Sequence, residues 1–342
     1  VSNPTTRSRI LRRARLGADY VVIGPETLLD AVAPLAAYRA EDGLRVATVD
    51  VQRVYDAFAG GAADPAAVRA FLAYAYAAWE VPAPSRVLLV GDATYDPKQY
   101  LSDSRPTLLP SFLRPVDPWL GEVPSDNPFA AVSGDDPLPD LAVGRLTAGD
   151  AARAAELAAK ILGYETSPAA GDWTRRLLFV ADDPDGAGDF RAMSDDVASL
   201  HVPAGYITEK IYHGLSHTER EATRAAIVSA WNAGDLLVQY IGHGRTTSWG
   251  AENLLRRTDI ATLTNDRRLP VLLDMTCLTG YFVDPVLDGI SETAVARATG
   301  GAIASFSPTG FGVATGHDYM NRAFLDGLLR DGVTEMGPLS IL

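Results

Sequence analysis

Two short apolar runs end in residues that can share a covalent reaction. Asp235-Leu-Leu-Val-Gln-Tyr-Ile241 runs into Gly242-His243-Gly244, and Leu269-Pro-Val-Leu-Leu-Asp-Met275 runs into Thr276-Cys277-Leu278-Thr279-Gly280. A free thiol titrates near about 8.5, so little of it is thiolate at neutral pH. A neighbouring imidazole raises that fraction and can later hand the proton to a leaving amine. Gly242 and Gly244 let the backbone turn sharply and approach a bound molecule closely. The N–H groups of Gly244 and Cys277 could then face a developing oxyanion, where one donor is worth about 3–4 kcal/mol. Read singly, a cysteine behind an apolar strand is a small buried hydrophobe. The pairing of the two strand ends is what points to chemistry.

His213-Gly214 repeats the dipeptide, but the run before it, Tyr206-Ile-Thr-Glu-Lys-Ile-Tyr212, is mixed and charged as in an edge strand. It also lies one crossover further from the cysteine, which favours His243 as the acid/base. His317-Asp318 reads as the opening of the last helix.

The elements that must position these residues alternate between strand and helix. Runs rich in Val, Ile and Leu appear at 19–23, 44–51, 86–90, 139–143, 175–180, 206–212, 235–241, 269–275 and 301–306. Little polar alternation interrupts them, as expected of strands covered on both faces. Helical stretches lie at 26–39, 65–79, 148–164 and 218–231. Asp64 with Pro65 suits a helix start, and Thr218 with Glu221 suits a capping box. Such alternation predicts an α/β fold with mainly parallel sheets and right-handed crossovers. The strands are too many for one ordinary sheet. A linker-like stretch, Ser167-Pro-Ala-Ala-Gly-Asp172, divides residues 18–167 from residues 168–342. Residues 1–17 read as an N-terminal arm. The stretch 95–139 is Pro-rich and irregular, a pattern that inside a compact domain is usually functional.

The composition, 47% hydrophobic and 21% charged over 342 residues, suits a chain that buries a real core. A formal net charge of −13 argues against a nucleic-acid partner, since nothing offsets phosphate repulsion. The one basic cluster, Arg7 to Arg15, reads as a solvated tail or a processing site. No run of about 18 apolar residues predicts a membrane span. Cys277 is the only cysteine, so no disulfide forms within the chain. Val1 in place of Met suggests a fragment or a processed form. There is no phosphate-binding G-x-x-x-x-G-K-[ST] loop and no G-x-S-x-G elbow.

Tyr240-Ile-Gly-His-Gly244 with Ser248-Trp-Gly250, and Leu269 to Cys277 with Gly280-Tyr-Phe282, resemble the histidine and cysteine blocks of the gingipain-type cysteine peptidases, relatives of the caspases. Val87-Leu-Leu-Val-Gly-Asp92, Ser125-Asp-Asn127, Asp140-Leu-Ala-Val-Gly-Arg145, Ile290-Ser-Glu292 and Gly300-Gly-Ala-Ile303 extend the likeness over about residues 18–320. The resemblance implies a caspase-like fold of two α/β sandwich subdomains. It implies endopeptidase activity through a thioester, with Cys277 as nucleophile and His243 as acid/base. It assigns Asp140 to orient the imidazole, with Asp126 and Asp136 as alternatives. A substrate-binding role falls on Asp150, Ile241, Met275 and Phe311. Cleavage after Arg or Lys is the family's habit, although Arg153 near Asp150 would repel a basic side chain. The family also implies protein or peptide substrates, export or display at the cell surface, and pro-segments or accessory domains. No cofactor is required for the chemistry. Asp183, Asp185 and Asp189, on a Gly-rich loop, could hold a structural Ca2+ or form a solvated acidic turn. A transpeptidase using the same dyad and an inactive peptidase-fold binding protein are the alternative functions.

Overall fold

The structure, a computed structural model, describes residues 17–342. The Arg7–Arg15 cluster and most of the expected N-terminal arm lie outside the described residues. Two parallel sheets dominate. The first holds β1 (Tyr20–Gly24), β2 (Val46–Asp50), β3 (Arg86–Val90) and β6 (Ala142–Leu146) in the order β2-β1-β3-β6. Between β3 and β6 lies an antiparallel hairpin of β4 (Phe112–Asp117) and β5 (Gly121–Ser125). The second sheet draws on β7 (Arg176–Ala181), β8 (Ile207–Tyr212), β9 (Leu237–Ile241), β13 (Val271–Met275) and β14 (Ala304–Phe306). Its order is β14-β13-β9-β7-β8, all parallel. The short strands β10 (Gly244–Arg245), β11 (Ser248–Trp249) and β12 (Leu255–Arg256) form a small antiparallel sheet after β9.

Both large sheets are covered on both faces, which explains their unbroken apolar runs. In the first, Val21 and Ile23 pack with Phe71 and Leu72 of the Pro65–Ala78 helix, while Val22 faces Leu28, Leu35 and Leu157 on the other side. In the second, Val180, Val238, Tyr240 and Leu272 meet Trp231 and Trp249. Leu177, Phe179, Ile241, Leu273 and Met275 meet Phe190 and Phe324 across the sheet. Among the described residues no helix is long and apolar enough to cross a membrane.

Helix starts follow the expected local chemistry at Asp64 but not at Thr218. Asp64 accepts from the Ala66 N–H and Pro65 fills the first turn, as expected. The helix expected behind Thr218 starts instead at Arg220, with Glu219 at the N-cap and no side-chain cap bond. Glu221 is turned away by Arg220, with which it forms an ion pair at 2.7 Å. The irregular stretch 95–139 contains the hairpin, which leans on the second half of the chain. Thr309 Oγ1 donates to the Pro124 carbonyl at 2.6 Å, and the Phe311 N–H donates to Asp117 Oδ2.

Candidate active site

β9 and β13 pair directly, in register from Leu237 opposite Val271 to Ile241 opposite Met275. Gly242–Gly244 and Thr276–Cys277 therefore leave the sheet side by side at its carboxyl edge. The backbone of residues 276–277 packs so closely on Gly244 that a side chain there would collide with Thr276 Oγ1 and the Cys277 carbonyl. Gly242 turns at φ +156° with its Cα against Asp182 and Tyr240, and a side chain there would clash with both.

His243 is fixed from several sides. Its N–H donates to Asp182 Oδ2 at 3.2 Å, its carbonyl accepts from the Tyr240 hydroxyl at 2.7 Å, and Phe190 meets its ring edge-on at 5.3 Å. Its Nε2 lies 2.8 Å from Asp185 Oδ2. The Ala187 N–H, bonded to Asp185 Oδ1 at 2.8 Å, and then the imidazole hold the Asp185 carboxyl below the usual carboxylate range. Nε2 is thus engaged by Asp185, and Nδ1 is the ring nitrogen outside that contact.

The Cys277 side chain is half-buried. Its thiol donates weakly to the Gly312 carbonyl at 3.9 Å. Burial pushes the thiol up from its ordinary value, and the negative charge of Asp117 adds to that. The resting group is thus the neutral thiol. Beneath it, buried Asp274 accepts from Ser291 Oγ at 2.7 Å and Ser307 Oγ at 3.1 Å. This ties β13 to the Ile290–Ala296 helix and to the loop that carries residues 307–312.

Several expected site residues sit elsewhere. Asp140 Oδ2 accepts from the Val132 and Ser133 N–H groups, both at 2.8 Å, and so closes a local turn; the acid on the imidazole is Asp185. Of the alternatives, Asp126 pairs with Arg145 at 2.7 Å and Asp136 accepts from the Leu138 N–H. Asp150 is exposed and caps the Ala151–Thr166 helix through the Arg153 N–H. Ile241 and Met275 are buried with their side chains in the core and cannot line a substrate pocket. Phe311 is better placed. Leu278 N–H donates to the Gly310 carbonyl and Cys277 to that of Gly312, so Phe311 lies between two anchors at the thiol. It is partly exposed and meets the exposed Trp119 of the hairpin edge-to-face at 6.2 Å.

The three expected calcium ligands do not converge. Asp185 serves His243, Asp189 caps the Phe190–His201 helix through the Ala192 N–H, and Asp183 lies with His213 and Glu252. His213 itself is buried, with Nδ1 3.0 Å from Thr223 Oγ1.

Comparison with known proteins bears on the family and the fold. Gingipain R2 of Porphyromonas gingivalis is 26% identical over 163 residues, which are 47% of this chain and 22% of that protein. Gingipain R1 of the same organism is likewise 26% identical over 163 residues, 16% of its length. This chain therefore matches less than a quarter of those relatives. Among solved structures, the complex of P. gingivalis RgpB pro- and mature domains has a TM-score of 0.78 at 20% identity, covering 94% of this chain and 72% of that one. The Arg-specific cysteine proteinase gingipain R (RGPB) has a TM-score of 0.76 at 21% identity, covering 96% and 72%. The fold is the one these gingipain structures share. A family model described as Peptidase family C25 matches residues 13–341, nearly the whole sequence, and the chain belongs to that family.

Proposed function

We propose that the protein is a cysteine endopeptidase with Cys277 as nucleophile, His243 as general acid and base, and Asp185 orienting the imidazole. The observation that carries this is the β9–β13 register, which delivers His243 and Cys277 to adjacent loops, with a carboxylate 2.8 Å from His243 Nε2. In the first step His243 Nδ1 takes the thiol proton, Sγ bonds to the scissile carbonyl carbon, and the oxyanion forms. The Gly244 and Cys277 N–H groups are the donors assigned to it. The C–N bond then breaks as the imidazolium gives its proton to the leaving amine, which leaves a thioester. Water attacks that thioester, and His243 takes the water proton and returns it to sulfur. Asp185 stabilises the imidazolium in both halves without itself accepting the proton.

Cleavage after Arg fits this site. One similar structure is described as Arg specific. Asp117 supplies a negative charge that is felt at Cys277. Burial opposes its ionisation, but the Leu120, Phe311 and Trp119 N–H groups hold its carboxyl below the usual range. By the same analogy the protein acts outside the cell or on its surface and is governed by a pro-segment.

The test is cleavage of matched peptides with Arg, Lys, Leu or Asp before the scissile bond, by wild type and Cys277→Ala. Loss of turnover in the variant and preference for Arg are expected. Full activity in Cys277→Ala would remove the nucleophile, and a clear preference for Leu or Asp would remove the specificity while leaving the dyad.

A further inference from the structure

One strand beyond β9, the carboxyl edge of the sheet carries a second cluster. β7 and β8 pair in parallel with Ala181 opposite Tyr212, so Asp183 and His213 emerge together behind them. Glu252, in the turn between β11 and β12, joins them. A ring nitrogen of His213 and one carboxylate oxygen from each acid all lie within 4.8 Å of one another.

The histidine sets this cluster apart from an ordinary acidic patch. His213 is 7% exposed. Thr223 Oγ1, 3.0 Å from Nδ1, donates its own proton to the Glu219 carbonyl at 3.2 Å and so accepts from Nδ1–H. That fixes the tautomer and leaves the Nε2 lone pair free, the arrangement that a partner behind a metal-bound histidine provides. Among the described residues no hydrogen bond occupies Nε2.

We propose that Asp183, His213 and Glu252 form a binding site for a divalent cation of the Zn2+ class. One imidazole and two carboxylates suit zinc, whereas Ca2+ takes six to eight oxygens. Three protein ligands leave one position to water. Asp183 and Glu252 are not fully buried and can close the remaining distance by side-chain rotation. The ion's place is structural. The loop that carries Asp183 also carries Asp185, which holds His243 Nε2. The turn that carries Glu252 is tied to His243 by the Gly250 N–H, which donates to the His243 carbonyl at 2.7 Å. A cation here clamps together the two segments that fix His243.

The test titrates Zn2+ into the full chain carrying Cys277→Ala, which removes the competing thiolate. Calorimetry should show one site, and thermal unfolding should move to higher temperature with zinc. Asp183→Asn and Glu252→Gln, both at positions that tolerate exposure, should each weaken zinc binding by about tenfold or more. Asp140→Asn should leave it unchanged. Absence of zinc binding at millimolar concentration, unchanged affinity in both ligand variants, or tighter binding of Ca2+ than of Zn2+ would each overturn the proposal.

Discussion

His243 is gripped at its ring, its N–H and its carbonyl, and the grip on the ring carries the chemical consequence. Asp185 stays ionised because its carboxyl is held low by the Ala187 N–H and by the imidazole. A carboxyl lowered in this way favours the folded site above the ordinary carboxylate range, and that advantage is lost only as pH falls through the lowered value. Asp185→Asn removes the charge that steadies the imidazolium. A hydrogen bond to a charged group is worth about 1.5–3 kcal/mol, so kcat/KM should fall about 10- to 100-fold. Asp140→Asn should instead lower thermal stability while leaving the pH–rate profile in place, because its partners are the Val132 and Ser133 N–H groups. Steady-state kinetics of the two variants across pH separate them, and an equal loss in both would refute the assignment of Asp185. The placement of Cys277 and His243 at neighbouring strand ends was legible in the sequence, because each follows an apolar strand and glycines flank the histidine. The contact of Asp185 with His243 was not, because it arises only through β7 lying beside β9, and strand order leaves no mark on spacing.

At the scale of elements, the β4–β5 hairpin is the piece that spacing did not reveal. β4 contains Pro115 and exposes most of its length, so it shows no apolar alternation. Its reason for folding lies far along the chain, where the Phe311 N–H donates to Asp117. The central parallel strands, by contrast, were legible, since burial on both faces favours Val, Ile and Leu there, whereas the expected 139–143 and 301–306 began three residues before β6 and β14. Asp117 Oδ1 accepts from the Trp119 and Leu120 N–H groups and shapes the hairpin tip, while Oδ2 holds Phe311. Asp117→Asn keeps an oxygen for the tip but turns an NH2 group towards Phe311. KM for an Arg substrate should rise about tenfold, the worth of one charge-assisted hydrogen bond. The same substitution removes a charge that raises the Cys277 thiol, so alkylation by iodoacetamide should accelerate at lower pH than in wild type. An unmoved alkylation profile together with unchanged KM would separate the hairpin from the site.

Across the whole molecule, charged and polar groups help join the two sheets, beside Val295, which packs against a core cluster of each. Lys160 donates to the Val295, Arg297 and Gly300 carbonyls, at 2.9, 2.8 and 3.1 Å. Arg105 pairs with Asp288 and lies 3.5 Å from the buried Asp92. Glu292 is buried beside them, its carboxylate accepting from the Gly289 N–H at 3.2 Å. Burial first, then the charges of Asp92 and Asp288, push its carboxyl up to about 8. The folded chain therefore keeps a proton on Glu292 that the unfolded chain releases above about 4.3. Stability from this group is fully present below that value and drains away as pH rises towards 8. Glu292→Gln retains an oxygen for the Gly289 N–H and is neutral at every pH. The variant should match wild type near pH 4 and exceed it by about 5 kcal/mol at pH 9, because about 4.3 and about 8 lie nearly four pH units apart and each is worth about 1.4 kcal/mol. Denaturant unfolding of both proteins at several pH values measures the difference directly. Asp235 and Asp274, also pushed up by burial, titrate in both proteins and cancel from the comparison. A gap that stays constant with pH would show that Glu292 is already ionised at the junction, with Arg105 as its counter-charge. In that case removing the carboxylate would loosen the contact between the sheets.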